Sequence, residues 1–136
     1  MKLKTFSDGG SRGNPGPAGI GVVLIDESGK AIYKRGKYIG KTTNNQAEYQ
    51  ALILALEKAH ELGATEVASY LDSELVVKQM KGEYKVKDAG LATLYLKVWS
   101  LKQKFKSISF HHVFREKNAE ADELVNIALD KYQSGK

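Results

Sequence analysis

"KLKTFSDGGSRGNPGPAGIGVVLID" (Lys2–Asp26) opens as a strand and reaches a carboxylate at Asp8. It then carries six glycines and two prolines between Gly9 and Gly21 before an apolar run resumes. Residues 2–8 read as one strand and residues 19–26 as the next. Gly19-Ile20-Gly21 runs into Val22, Val23 and Leu24, so the dinucleotide fingerprint fails, and no GxxxxGK[ST] string occurs in the chain. Pro15 and Pro17, with a strand after them, make the segment a wide turn between antiparallel strands. Glycines there let the backbone come close to a bulky ligand. A plain hairpin connection is the alternative. Asn14 offers an amide beside the turn.

Outward from this stretch, residues 31–39 read as a third strand after the turn Glu27-Ser28-Gly29-Lys30, giving an antiparallel meander. Thr42–Gly63 has apolar residues at 49, 52, 53, 56, 59 and 62, the spacing of a helix, and Gly63 is a fitting stop. Glu66–Asp72 is a nearly continuous apolar run ending in an acid, which suits a strand buried on both faces. Ser73–Lys81 reads as a short helix capped by Ser73. Asp88–Phe105 is a helix with Leu91, Leu94, Val98, Leu101 and Phe105 on one side. Ser107–Phe114 is a strand, and Asn118–Tyr132 a last helix with Leu124, Val125, Ala128 and Leu129 inward. The order βββαβααβα predicts an α/β fold, a five-stranded mixed sheet with helices on both faces and right-handed crossovers.

The chain has 136 residues, 42% of them apolar and 27% charged, which predicts a single domain over 1–136. It has no Cys, so neither a disulfide framework nor a thiolate metal site can form. No apolar run reaches the ~18 residues of a membrane span, and the N-terminus lacks a signal-peptide core. A cytoplasmic monomer with no membrane partner is the expectation. The net charge of +5 favours polyanionic partners weakly, and ordinary solubility explains it equally well. Lys81, Lys85 and Lys87 cluster, and Lys97, Lys102, Lys104 and Lys106 follow.

Chain direction brings acids together. If the first strand rises to Asp8, the meander starts the first helix at the same edge, with Glu48 in its first turn. The fourth strand then rises to Asp72, and the last helix begins at that edge with Asp122. Ligands of open α/β sheets bind outside the carboxyl ends of parallel strands. Each acid has a local explanation: an Asx turn at Asp8, a capping box from Asn45 to Glu48, support of the next helix by Asp72, and a helix-dipole role for Asp122. None of these explains why all four converge. Crowded carboxylates repel, and oxygen-only ligands suit Mg²⁺, with Mn²⁺ as a substitute. Two such ions about 3.5–4 Å apart can activate water and stabilise the leaving oxygen of a phosphodiester.

The blocks "DGGSRGNPGPAGIG", "TTNNQAEYQAL", "LDSELVVKQ" and "REKNAEADELVN" resemble type 1 ribonuclease H, in order and in approximate spacing, along nearly the whole chain. The resemblance implies a ribonuclease H-like fold. It also implies an endoribonuclease that hydrolyses the RNA strand of RNA–DNA hybrids and leaves 5′-phosphate and 3′-hydroxyl ends. It marks Asp8, Glu48, Asp72 and Asp122 as catalytic residues and ligands of two Mg²⁺ ions. Asn14, Asn44, Asn45 and Gln46 match positions lining the hybrid's minor groove, where neutral amides can read the 2′-hydroxyl. Thr43 matches a residue that binds a DNA-strand phosphate, with Lys41 beside it. Duplex RNA is left open as a further partner.

Three departures from the family pattern stand out. The loop Val113–Ala121 holds no His, and Arg115, Glu116 or Lys117 is the candidate to replace it; Arg115 and Lys117 are carried as accessory residues. His111 and His112 fall on a strand, where at least one is read as a packed or edge residue. Asp88 stands near where the family's phosphate pocket often has Asn. Lys81–Lys87 is too short for the family's extra basic helix, and a form without the family's hybrid-binding domain ahead of the catalytic one is the expectation. The rival readings are a non-catalytic nucleic-acid binder and a DNA resolvase or integrase-like nuclease on the same scaffold.

Overall fold

The computed structural model describes residues 1–135. Its sheet has five strands in the order β3-β2-β1-β4-β5. They are β1 (Lys2–Ser11), β2 (Gly16–Ile25), β3 (Ala31–Thr42), β4 (Glu66–Leu71) and β5 (Ser107–His112). The helices are α1 (Asn44–Glu61), α2 (Glu74–Met80), α3 (Ala89–Lys102) and α4 (Ala119–Ser134), with a 3₁₀ turn at Arg115–Lys117. β1 pairs antiparallel with β2 and parallel with β4, and β4 pairs parallel with β5. The expected element order and mixed sheet are therefore present.

The glycine-rich stretch is strand rather than a wide turn. β1 continues to Ser11 and β2 begins at Gly16, so only residues 12–15 turn. The glycines serve packing on both faces of the sheet. A Cβ on Gly9 would lie 2.3 Å from the carbonyl carbon of Ala47 in α1. One on Gly21 would lie 2.2 Å from the carbonyl oxygen of Ala121 in α4. Both are below any real contact, so these two positions let a helix rest directly on the strands.

α1, α2 and α3 cover one face. Leu3, Ile20, Val22 and Leu24 of the sheet, Tyr49, Leu52 and Leu56 of α1, Val76 of α2, and Leu91, Val98 and Leu101 of α3 form that core. Within it, the Tyr49 hydroxyl donates to Gln79 Oε1 at 2.6 Å, and Thr5 Oγ1 donates to Ser69 Oγ at 2.9 Å. α4 alone lies on the opposite face, over β1–β3. β4 is consequently not buried on both faces: Val67, Ser69 and Leu71 are buried while Ala68 and Tyr70 are half-buried. On the side left open by α4, Phe6, Tyr70 and His111 stack in a row across three neighbouring strands, with centroids 5.0 and 4.9 Å apart.

Helix starts follow local chemistry. Thr43 caps α1, its hydroxyl accepting from Gln46 N–H at 3.2 Å. Such a cap contributes about 1 kcal/mol. The cap lies two residues earlier than the Asn45–Glu48 box expected from sequence, which moves Glu48 into the second turn. Ser73 caps α2 as expected, accepting from Val76 N–H, and Asp88 caps α3, accepting from Leu91 N–H.

Candidate active site

Asp8 and Asp72 each follow the last parallel pair between β1 and β4, Ser7↔Leu71. Two backbones in register thus deliver two acids side by side. Glu48 comes from α1, which is close enough because residue 9 has no side chain. Gly9 N–H donates to Glu48 Oε1 at 2.5 Å, fixing the carboxylate over the strand. Oxygens of Asp8, Glu48 and Asp72 all lie within 4.8 Å of one another. Asp8 and Glu48 are buried, each 7% exposed, and Asp72 is half-buried.

Such crowding disfavours ionisation. Burial, then the charges of Glu48 and Asp72, then hydrogen bonds shared with Glu48 and Asp122, push the Asp8 carboxyl well above the usual carboxylate range. Burial and the Asp72 charge also raise Glu48, opposed by the Gly9 N–H, a hydrogen bond with Asp8 and the positive charge of Arg115.

Asp122, in the first turn of α4, stands outside the close triad but lines the same cavity, of about 490 Å³. Arg115 lines it too, its guanidinium 3.6 Å from the Asp122 carboxylate. Lys117 faces a separate cavity with Phe6 and Val23. The four sequence-nominated acids therefore meet at one edge, three within 4.8 Å of one another and the fourth, Asp122, hydrogen-bonded to Asp8.

The amides form the other wall. Asn44 and Asn45 line the cavity and are exposed. Asn14 Oδ1 accepts from Asn44 N–H at 2.9 Å, and Asn44 Oδ1 accepts from Ser11 N–H at 3.1 Å. This pair pins the β1–β2 turn to the start of α1 and leaves each NH₂ outside both bonds. Gln46 lies outside the cavity lining. Its Oε1 accepts from the Thr42 hydroxyl, and its Nε2 lies against Gly90 at the start of α3. Thr43 uses its hydroxyl oxygen in the cap, and Lys41 is exposed at the end of β3.

Sequence reasoning missed several wall residues. His112 is exposed and lines the cavity, in edge contact with the exposed Phe114 ring at 5.6 Å, whereas His111 is packed on Tyr70. Arg12 also lines it, held by Asp130 at 2.8 Å and by Gln133. Only alternation along β5 could have separated His111 from His112.

A sheet of this order with acids above its β1–β4 seam defines a ribonuclease H-like domain. A family model described as "Reverse transcriptase-like" matches residues 6–128. The chain belongs to the type 1 ribonuclease H family. The solved RNase H1 of Halobacterium salinarum superimposes with a TM-score of 0.94 at 42% identity, covering 96% of this chain and 99% of that one. LC11-RNase H1, solved in complex with an RNA/DNA hybrid, gives a TM-score of 0.92 at 49% identity, covering 96% and 99%. A bifunctional protein of Mycobacterium tuberculosis is 47% identical over 131 residues, or 96% of this chain. The chain spans only 36% of that protein's length. Among the described residues, no helix is long and apolar enough to cross a membrane.

Proposed function

We propose that this protein is an endoribonuclease that hydrolyses the RNA strand of RNA–DNA hybrids at the Asp8–Glu48–Asp72 edge. The convergence of those three carboxylates within 4.8 Å carries the reading. The hybrid complex of LC11-RNase H1, nearly half identical in sequence, supports the substrate class.

The donor set fits a hard divalent cation: every ligand is a carboxylate oxygen, and burial and mutual repulsion disfavour ionisation of Asp8 and Glu48, which a cation would offset. Asp8, Glu48, Asp72 and Asp122 would hold two Mg²⁺ ions, which when bound supply Lewis-acid activation of water and stabilisation of the departing oxygen. The remaining work belongs to the chain. Asn44 and Asn45 stand on the cavity wall, and Asn14 is tied to them. The free NH₂ groups of Asn14 and Asn44 are donors that a 2′-hydroxyl can accept and that deoxyribose cannot use. Thr43, Lys41 and the exposed N-terminus of α1 present positive potential to a phosphate of the DNA strand. Arg115, beside Asp122, draws the scissile phosphate or its product toward the acid edge. Water attacks phosphorus, the P–O3′ bond breaks, and the 3′ oxygen takes a proton, leaving 5′-phosphate and 3′-hydroxyl ends.

The test incubates labelled RNA–DNA hybrid, duplex DNA and duplex RNA with Mg²⁺, then repeats with chelator. Cleavage of the hybrid's RNA strand, lost on chelation, is the expected result. Intact hybrid would overturn the proposal, cut DNA would point to the resolvase-like alternative, and cut duplex RNA would widen the substrate range.

A further inference from the structure

We propose that Asn118 is a positioning residue: its side chain is withdrawn from helix capping to hold Asp122 and Arg115 against Asp8. Asn is among the strongest N-cap residues, because its side-chain oxygen accepts from the first-turn N–H groups. Asn118 occupies the N-cap of α4, yet its side chain makes no capping hydrogen bond. It is 1% exposed. Its Nδ2 instead donates to the carbonyl oxygen of Ser7 at 2.8 Å, across 111 positions of sequence and one residue from Asp8. Its Oδ1 is buried without a partner. Forgoing a cap and burying an unpaired oxygen both cost stability. A residue chosen for stability alone would do neither.

The backbone of Asn118 explains what this arrangement achieves. Its carbonyl oxygen accepts from Asp122 N–H at 3.1 Å, and its own N–H donates to the Arg115 carbonyl at 2.9 Å. One residue thus ties the acid of α4 and the cation of the 3₁₀ turn to the strand that carries Asp8. Asp122 shares a hydrogen bond with Asp8 from a separate element, and a bond from the start of α4 to the strand carrying Asp8 keeps that contact in place. α4 rests closely on Gly21 and Gly36, its ion pairs to Arg12 and Lys34 are at the surface, and the Asn118 amide supplies a buried directional bond at the end nearest the site. Asn118 touches neither substrate nor metal; it acts through Asp122 and Arg115.

This inference rests on the proposed nuclease reading, and its test separates the two. Asn118→Ala and Asn118→Ser are compared with Val98→Ala, a fully buried core change in α3 away from the site. Ser keeps a hydroxyl at this position but is too short to reach Ser7. Thermal midpoints, kcat and KM on hybrid, and calorimetric Mn²⁺ affinity are measured for each. Both Asn118 variants should lose roughly 10–100-fold in kcat with KM within about twofold, and bind Mn²⁺ roughly 10–100-fold more weakly. Neither Asn118→Ser nor Asn118→Ala should retain wild-type kcat, whatever its midpoint, and Val98→Ala should lose midpoint but keep kcat. Wild-type kcat and Mn²⁺ affinity in Asn118→Ser, or an equal loss in Val98→Ala, would overturn the proposal. If Asn118→Ala does not fold, Asn118→Ser decides alone. If the wild type cuts no hybrid, the nuclease reading fails and the Mn²⁺ titration still judges the role of Asn118.

Discussion

The two walls of the cavity are held by opposite means. The acid wall is set by packing. Asp8 and Asp72 follow in-register parallel strands, Glu48 is brought down where Gly9 leaves room, and the cluster is buried. The amide wall is exposed and held by single hydrogen bonds, Asn14 to Asn44 and Asn44 to Ser11. Groups that must stay close against their own repulsion need a backbone that cannot retreat. Groups that read a ligand need free donors, and one bond each suffices to aim them. The acid wall therefore stores electrostatic strain that a bound cation would relieve, while the amide wall stores almost none.

The comparison breaks most severely at Asp8. Asp8→Asn should lower kcat on hybrid by roughly 10³-fold or more, as loss of a residue acting in a catalytic unit does. In the absence of metal at pH 8 the same change should raise the thermal midpoint, because folding must take up a proton at Asp8 and an amide needs none. A coupled loss of activity and midpoint would show that the cluster is not strained.

Gly9→Ala should harm both properties. The new methyl meets the α1 backbone at 2.3 Å, and forced overpacking of this kind costs about 1–3 kcal/mol. Denaturant unfolding and hybrid kinetics would measure it, with Glu48 displaced and kcat reduced. A neutral result would mean that α1 does not need to touch β1 to place Glu48.

Asn44→Ala should act mainly on binding. Losing one or two neutral hydrogen bonds, each worth about 0.5–1.5 kcal/mol, should raise KM for hybrid about 2–150-fold with a smaller change in kcat. A purely structural role would leave KM unmoved.

The last effect is in the pH dependence of the metal-free protein. Asp8 and Glu48 have folded-state pKa values raised above those of the unfolded chain. The folded protein therefore binds more protons than the unfolded one, and stability falls as pH rises from about 4 through the raised values. The midpoint should drop between pH 5 and pH 8, and less in Asp8→Asn.

Much of this was legible in the sequence, for physical reasons. Chain direction alone placed Asp8, Glu48, Asp72 and Asp122 at one edge, because strand and helix alternation fixes which ends coincide. The extent of β1 and β2 was not legible. Gly9, Gly10, Gly16, Gly19 and Gly21 carry local turn propensity, and their strand conformation is imposed by helices arriving from distant sequence. The true cap of α1 was obscured because Thr43 and Asn45 are both good caps. The open face of β4 depended on where α4 lies, which periodicity within β4 does not encode. Asn118 read as an ordinary helix start, since nothing near it in sequence announces a bond to Ser7.

The most direct test of the central claim is the midpoint of unfolding at pH 8 with and without Mg²⁺, for the wild type and Asp8→Asn. A strained acid cluster that a divalent ion relieves predicts a clear rise for the wild type, growing with Mg²⁺ concentration as binding linkage requires, and little or none for Asp8→Asn. Equal rises in the two proteins, or no rise in either, would contradict it.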